Sequence, residues 1–181
     1  MAFSLPAPVE LERRAGLVAF LDTLLEPEFS LRYFDFNPKF ARGQRLFSVR
    51  SGEGDHAFAW FGPVGTLVRG KHSDRKAIAD RQLFDGLPPS FHAAKKEPAF
   101  QLGGDSFATW SPKGTSGWKS AVDPLKGGMG DLLAVLDGTP KSFARYANSY
   151  HEVKLSLPAL GALYRASALT PELVEQLSDT F

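Results

Sequence analysis

The chain has 181 residues, of which 43% are hydrophobic and 23% are charged, a composition typical of a folded chain and not of a disordered one. The 21 Lys and Arg residues nearly balance the 20 Asp and Glu residues. A net charge this small gives no argument for binding to nucleic acid or to an anionic membrane. The absence of cysteine excludes a disulfide framework, a thiolate metal site and a cysteine nucleophile.

The chain shows no sign of a membrane segment. No apolar run is long enough to cross a bilayer, and the N-terminal residues MAFSLPAPVELERR lack the basic and apolar regions of a signal peptide. Together with the lack of cysteine, this predicts a cytoplasmic protein.

An amphipathic helix is predicted over residues 9–25, after a loose arm of residues 1–7. Apolar residues recur at spacings of three and four, as on one face of a helix: Leu11, Ala15, Val18, Leu21 and Leu25. The intervening residues are polar and are expected on the solvent side: Glu10, Glu12, Arg13, Arg14 and Asp22.

An antiparallel meander is predicted over residues 44–70. After a strand around Leu31 and Tyr33 and a turn at Asn37-Pro38, three alternating apolar runs at 44–50, 56–61 and 65–69 are separated by glycine-bearing turns. The middle run is apolar on both faces, which predicts a central strand covered on both sides.

The second half of the chain is predicted to be mostly helical. Residues 71–84 could form a loop, a short helix or a lid. The other predicted elements are a brief helix at 89–96, a strand at 106–111 with a hairpin partner from Trp118, a helix in DLLAVL, helices at 140–151 and 157–166, and one beginning at Thr170. The inner face of helix 140–151 is predicted to carry Phe143, Tyr146, Ala147 and Tyr150.

Strands first and helices last predict an α+β fold. We expect one domain over residues 1–181, in which an antiparallel sheet of four to six strands is packed by the N-terminal helix and by a helical C-terminal part at 127–181.

Two glycine-bearing segments resemble phosphate-binding motifs only in part. Residues 65–71 match the start of a P-loop, but His72 stands where a Mg²⁺-binding Ser or Thr is needed. The interior of this segment alternates like a strand, so we interpret it as a strand leaving the meander. Residues 127–130 precede a predicted helix, and Asp131 can complement the partial positive charge at the start of that helix. This indicates a connecting loop followed by a capped helix.

Five polar residues are candidates for acid–base chemistry because they flank predicted strands or cluster in sequence: Asp55, His56, His72, Asp74 and Glu97. Such constellations are spatial, so their spacing does not show whether they converge. The histidines lack metal-ligand spacing, and neither a metal nor a cofactor is predicted. The chain also lacks the Gly-x-Ser-x-Gly elbow of a hydrolase.

Large aromatic residues at strand spacing usually belong to a hydrophobic core and not to a ligand-stacking surface. The residues concerned are Trp60, Phe91, Phe107, Trp110 and Trp118. RNA-binding sheets surround such aromatics with basic residues, which are sparse here.

Two segments carry a resemblance. Gly54-Asp55-His56-Ala57-Phe58-Ala59-Trp60-Phe61-Gly62 with Val68-Arg69-Gly70, and Leu87-Pro88-Pro89 through Glu97-Pro98-Ala99-Phe100 to Phe107-Ala108-Thr109-Trp110, are similar to a pattern in bacterial hypothetical proteins. The resemblance covers about residues 30–175 and implies no activity and no catalytic residue. The architecture also resembles that of small α+β immunity proteins that neutralise bacterial toxins.

Two hypotheses follow. The first is a non-enzymatic binding or regulatory protein that acts on a protein partner or a small ligand, motivated by the missing catalytic signature. The second is a hydrolase-like or isomerase-like enzyme that uses the Asp and His groups at strand ends. If those groups share one pocket the second hypothesis gains, and if they scatter the first gains.

Overall fold

The computed structural model describes residues 3–100, 104–166 and 175. A five-stranded antiparallel sheet has the order β1-β2-β3-β4-β5. Its strands are β1 (Phe34–Ala41), β2 (Gln44–Arg50), β3 (His56–Gly62), β4 (Gly65–Lys71) and β5 (Phe107–Pro112). The helices are α1 (Pro8–Leu25), α2 (Asp80–Leu83), α3 (His92–Lys95), α4 (Met129–Leu132), α5 (Pro140–Tyr150) and α6 (Leu157–Arg165).

The α+β class and the predicted meander are confirmed. Each strand pairs antiparallel with the next along the chain, with Trp60 opposite both Leu46 and Leu67. Residues 56–61 are all buried, which confirms that β3 is covered on both faces. The helix predicted to begin at Thr170 falls in residues that the structure does not describe.

One face of the sheet packs against α1, α5 and α6. The core on this side includes Phe34, Phe47, Ala59, Phe61, Val68, Phe107, Phe143 and Leu160. Residues 3–7 are not a loose arm, because Phe3 and Leu5 pack against this core and Trp118 Nε1 donates to the Pro6 carbonyl at 2.8 Å.

Short helices cover the opposite face of β3, β4 and β5. This second core includes Phe58, Trp60, Leu67, Leu83, Phe91, Phe100 and Trp110. The three possibilities for residues 71–84 therefore resolve into a connection that ends in α2, whose Leu83 is completely buried. The aromatic residues predicted to be core are core, apart from Trp118, which is partly buried.

Several local predictions are wrong. Asp22 is completely buried, because α1 lies between the sheet and the C-terminal helices and buries more than one stripe. Leu31 lies in a 3₁₀ turn, Phe29–Leu31, and not in a strand. Asn37-Pro38 lies inside β1, where the register shifts, since an edge strand tolerates proline.

Other predictions are confirmed with small differences. Helix α1 begins at Pro8 and ends at Leu25, and the α5 and α6 bounds lie close to those predicted. Where a hairpin partner was expected from Trp118, the structure has one isolated antiparallel β-bridge between Trp110 and Lys119. Within the described residues, we find no helix with the length and hydropathy needed to cross a membrane.

Gly70 supports the strand interpretation of the P-loop-like segment. It pairs with Ala57 and with Phe107 in the sheet. A Cβ added there would lie 2.4 Å from the His56 carbonyl oxygen. Glycine is therefore needed at this position because the neighbouring strand leaves no room for a side chain.

Candidate functional site

Asp55 and His72 are brought together by the β3–β4 pairing. Asp55 precedes β3 and His72 follows β4, and the pairing of His56 with Lys71 places them side by side. His72 Nδ1 lies 3.9 Å from Asp55 Oδ1, and His72 Nε2 lies 3.9 Å from Asp131 Oδ2. The imidazole thus lies between two carboxylates.

This arrangement is a loose polar cluster and not an oriented acid–base pair. Both distances exceed those of hydrogen bonds, and His72 Nδ1 instead accepts the Asp74 amide at 3.2 Å. Burial raises the pKa of Asp55, but hydrogen bonds from Ser73 and Ser51 and the nearby His72 outweigh it and hold that pKa below its usual value.

His56 belongs to a separate, buried cluster beneath the short helices. It is 5% exposed, and its Nε2 lies 3.9 Å from Asp105 Oδ1 with no hydrogen-bond partner among the described residues. Asp105 Oδ2 accepts Arg69 Nε at 2.6 Å and also contacts Arg69 Nη2. Arg69 Nη1 donates to the Lys95 carbonyl at 2.8 Å.

Burial sets the protonation of this cluster. It raises the pKa of Asp105 to about 6, although the ion pair with Arg69 opposes the shift. It lowers the pKa of His56, since a charged imidazole would be poorly solvated beside Arg69 and Lys71. The cluster has an ionised pair and a neutral histidine at neutral pH, and it is closed to substrate.

The buried histidine should make stability depend on pH. Because the native pKa of His56 lies below 6.5, its contribution to stability is present above about pH 6.5 and is lost as pH falls through the native value. We expect the free energy of unfolding to fall more between about pH 7.5 and about pH 5 in the wild type than in His56→Leu. Urea titrations at both pH values measure the difference.

The contribution of Asp105 to stability changes with pH in the opposite direction, but Asp105 is present in both the wild type and His56→Leu. Its native pKa of about 6 exceeds the ordinary aspartate value of 3.8, so its contribution to stability is present below about pH 3.8 and is lost as pH rises through about 6. Equal pH dependence in the two proteins would contradict the expectation for His56.

The other two candidate residues do not join either cluster. Asp74 is exposed, and Glu97 Oε1 accepts the Ala99 amide at 3.3 Å in its own turn. None of the five candidates lines the cavities of about 540, 310, 220 and 340 Å³ among the described residues. Across the described ranges, no three His, Asp or Glu side chains are grouped so that they could hold a metal ion.

Sequence reasoning missed a network centred on Asp22. Its Oδ2 accepts the amides of Tyr33 and Phe34 at 3.0 and 2.9 Å, and its Oδ1 accepts the Tyr146 hydroxyl at 2.6 Å and lies 3.1 Å from His151 Nε2. Burial and the Asp22 carboxylate raise the pKa of Tyr146, so its hydroxyl stays protonated and donates. This network joins α1, β1 and α5 and is structural.

An exposed apolar groove lies beside the same network. Phe29, Leu31 and Tyr150 are 59%, 57% and 46% exposed, and all three line a cavity of about 310 Å³. The predicted inward position of Tyr150 is therefore wrong. The side chains of Tyr33 and Tyr150 meet edge to face, with ring centroids 5.2 Å apart, and form one wall of the groove.

The chain gives no match to any family model, curated protein or solved structure.

The groove has a positive charge excess on its polar side. Arg32, Asp35 and Arg50 line it. The Arg32 guanidinium donates to the carbonyls of Glu26 and Pro27 at 2.8 and 2.5 Å, which orients its charge without neutralising it. Arg50 is exposed, and its side chain has no hydrogen bond or ion pair within residues 3–100 and 104–166.

Proposed function

We propose that the protein is a cytoplasmic, non-enzymatic binding protein that recognises a protein partner through the groove of Phe29, Leu31 and Tyr150. The observation that supports this proposal is the convergence of three large exposed apolar side chains on one cavity. Isolated exposed apolar residues are ordinary, whereas several around one concave surface are typical of interaction sites.

The groove favours a partner segment with an apolar side chain next to a carboxylate. The apolar side chain would pack against Leu31 and Tyr150, and the carboxylate would meet Arg50 and Arg32. Aromatic and arginine residues are enriched among those that dominate binding energies. Neutralising a toxin, as immunity proteins do, would be one form of such a role.

The test is a comparison of surface variants. Immobilised wild-type protein is expected to retain a stoichiometric partner from the native cytosol, and the double substitution Phe29→Ser/Leu31→Ser should weaken binding of the purified partner by at least about tenfold. Both residues are more than half exposed, so the variant should keep its fold. Calorimetric titration measures the affinities.

Val9→Ser is the matched control. Val9 is 83% exposed and lies at the start of α1, an 18-residue helix about 27 Å long, while the groove lies beyond the other end. A partner held equally by wild type and the groove variant would overturn the proposal. So would a groove that only mediates dimerisation of this chain, shown by sedimentation.

The enzyme hypothesis has one observation in its favour, the approach of Asp55 to His72 at 3.9 Å. It is weakened because Asp74 and Glu97 lie apart and because His56 is enclosed. Turnover in a general hydrolase screen that His72→Ala abolishes, with unchanged stability, would favour this hypothesis over the binding role.

A further inference from the structure

A second cavity lies far from the groove, at the opposite end of α1. Its volume is about 540 Å³, and it opens between the start of α1 and the sheet end formed by the β3–β4 turn and the end of β5. Volumes of this size are typical of sites for small organic ligands. Val9 and Phe61 supply apolar walls.

Thr66 places a hydroxyl in this cavity that nothing in the described chain satisfies. It is 4% exposed and points to the α1 side of β4, as the buried Val68 does two residues later. Its side chain has no hydrogen bond within the described residues. The neighbouring Ser111 hydroxyl is already engaged, at 3.1 Å from Thr115 Oγ1.

The start of α1 adds donors to the same cavity. The first helical hydrogen bond runs from the Leu11 amide to the Ala7 carbonyl at 2.9 Å, and no side chain caps the helix. The Val9 amide therefore has no partner in the helix. The carboxylate of Glu10, which could have complemented the helix dipole, is bound by Arg13 and Arg14 at 2.7 to 2.8 Å.

The charged side chains around the cavity favour an anion. Arg45 and Glu12 neutralise one another, with Arg45 Nε 2.5 Å from Glu12 Oε1. Lys113 also lines the cavity, and its ammonium group makes no ion pair with any residue that the structure describes. One positive charge is left over, next to the positive end of the α1 dipole.

We propose that this cavity binds a small organic carboxylate. The apolar body of the ligand would lie against Val9 and Phe61, and its carboxylate would accept hydrogen bonds from Thr66, from Lys113 and from the start of α1. A carboxylate is favoured because the cavity combines these donors with the apolar side chains of Val9 and Phe61.

Phenylpropanoate is a suitable probe, with phenylpropanamide as its uncharged counterpart. In the full-length protein, NMR titration with phenylpropanoate is expected to shift the amide signals of Val9, Thr66 and Lys113 in a saturable way. The amide should bind about tenfold more weakly, because it carries no negative charge to pair with the Lys113 ammonium and the positive end of the α1 dipole. Equal affinities, or no saturable shift at these amides, would overturn the proposal.

Two variants test the residues. Thr66→Val removes the hydroxyl and is expected to weaken phenylpropanoate binding about fivefold. Thr23→Val is the matched control, because the Thr23 hydroxyl donates to the Ala19 carbonyl at 2.9 Å within α1, away from the cavity, and it should leave the affinity unchanged.

Lys113→Gln keeps the test decisive if Thr66→Val does not fold. Lys113 is exposed, so this variant should fold normally and lose affinity for the carboxylate but not for the amide. If both Lys113→Gln and Thr66→Val bind phenylpropanoate as tightly as the wild type does, the proposal is wrong.

Discussion

Asp22→Asn is expected to lower the free energy of unfolding by about 2–5 kcal/mol, since it leaves two buried donors facing an amide NH₂. The carboxylate of Asp22 is completely buried. One oxygen serves the amides of Tyr33 and Phe34, and the other serves Tyr146 and His151. Asparagine has only one oxygen, so one of these two sets must lose its acceptor. Urea denaturation followed by circular dichroism measures the loss.

Tyr146→Phe is the control for this prediction. It removes one donor to Asp22 and leaves the carboxylate with the two backbone amides and His151, so about 1–2 kcal/mol should be lost. If Asp22→Asn costs no more than Tyr146→Phe, then the carboxylate is not the centre that joins α1, β1 and α5.

Asp105→Asn is expected to lower the free energy of unfolding by about 1–2 kcal/mol, because a neutral amide oxygen accepts the hydrogen bonds of the buried Arg69 guanidinium more weakly than a carboxylate does, while the loss of a buried negative charge offsets part of this cost. Arg69 and Asp105 are each 5% exposed. The remaining partners of Arg69 are the Lys95 carbonyl at 2.8 Å and the Phe84 ring at 5.1 Å, and neither carries a negative charge. The measurement is again equilibrium unfolding in urea.

The double variant Arg69→Met/Asp105→Leu removes both charges. It therefore separates the destabilisation caused by one unpaired buried charge from the contribution of the ion pair to the free energy of unfolding. Apolar replacement of both partners often restores stability or increases it, so the double variant should be more stable than Asp105→Asn. Additive losses in a double-mutant cycle over Arg69→Met and Asp105→Leu would show that the two side chains act independently.

The local elements of this protein could be predicted because their signals are local. Strands β2, β3 and β4 are short apolar runs between glycine-bearing turns, and neighbouring strands of a meander pair with one another. Helices α5 and α6 each carry a proline in the first turn, where it fits a helix start. These features follow from a few adjacent residues.

The partners of the candidate residues could not be predicted in the same way. Asp55 and His72 were among the candidates, and the β3–β4 pairing does bring them together. His56, however, meets Asp105, a residue that no motif marked, because both are enclosed under the segment that contains α3. Charge alone does not show which polar side chains a distant segment will cover.

By itself, the sequence determined the class of the fold, the order of the meander and the two-sided burial of β3, because periodicity and turn residues act over short stretches of chain. Only the tertiary structure decided that Asp22 is an internal anchor, with partners 124 and 129 residues away, and that Tyr150 faces outward beside Phe29 and Leu31. Burial is a property of what packs over a residue, and that covering comes from segments far along the chain.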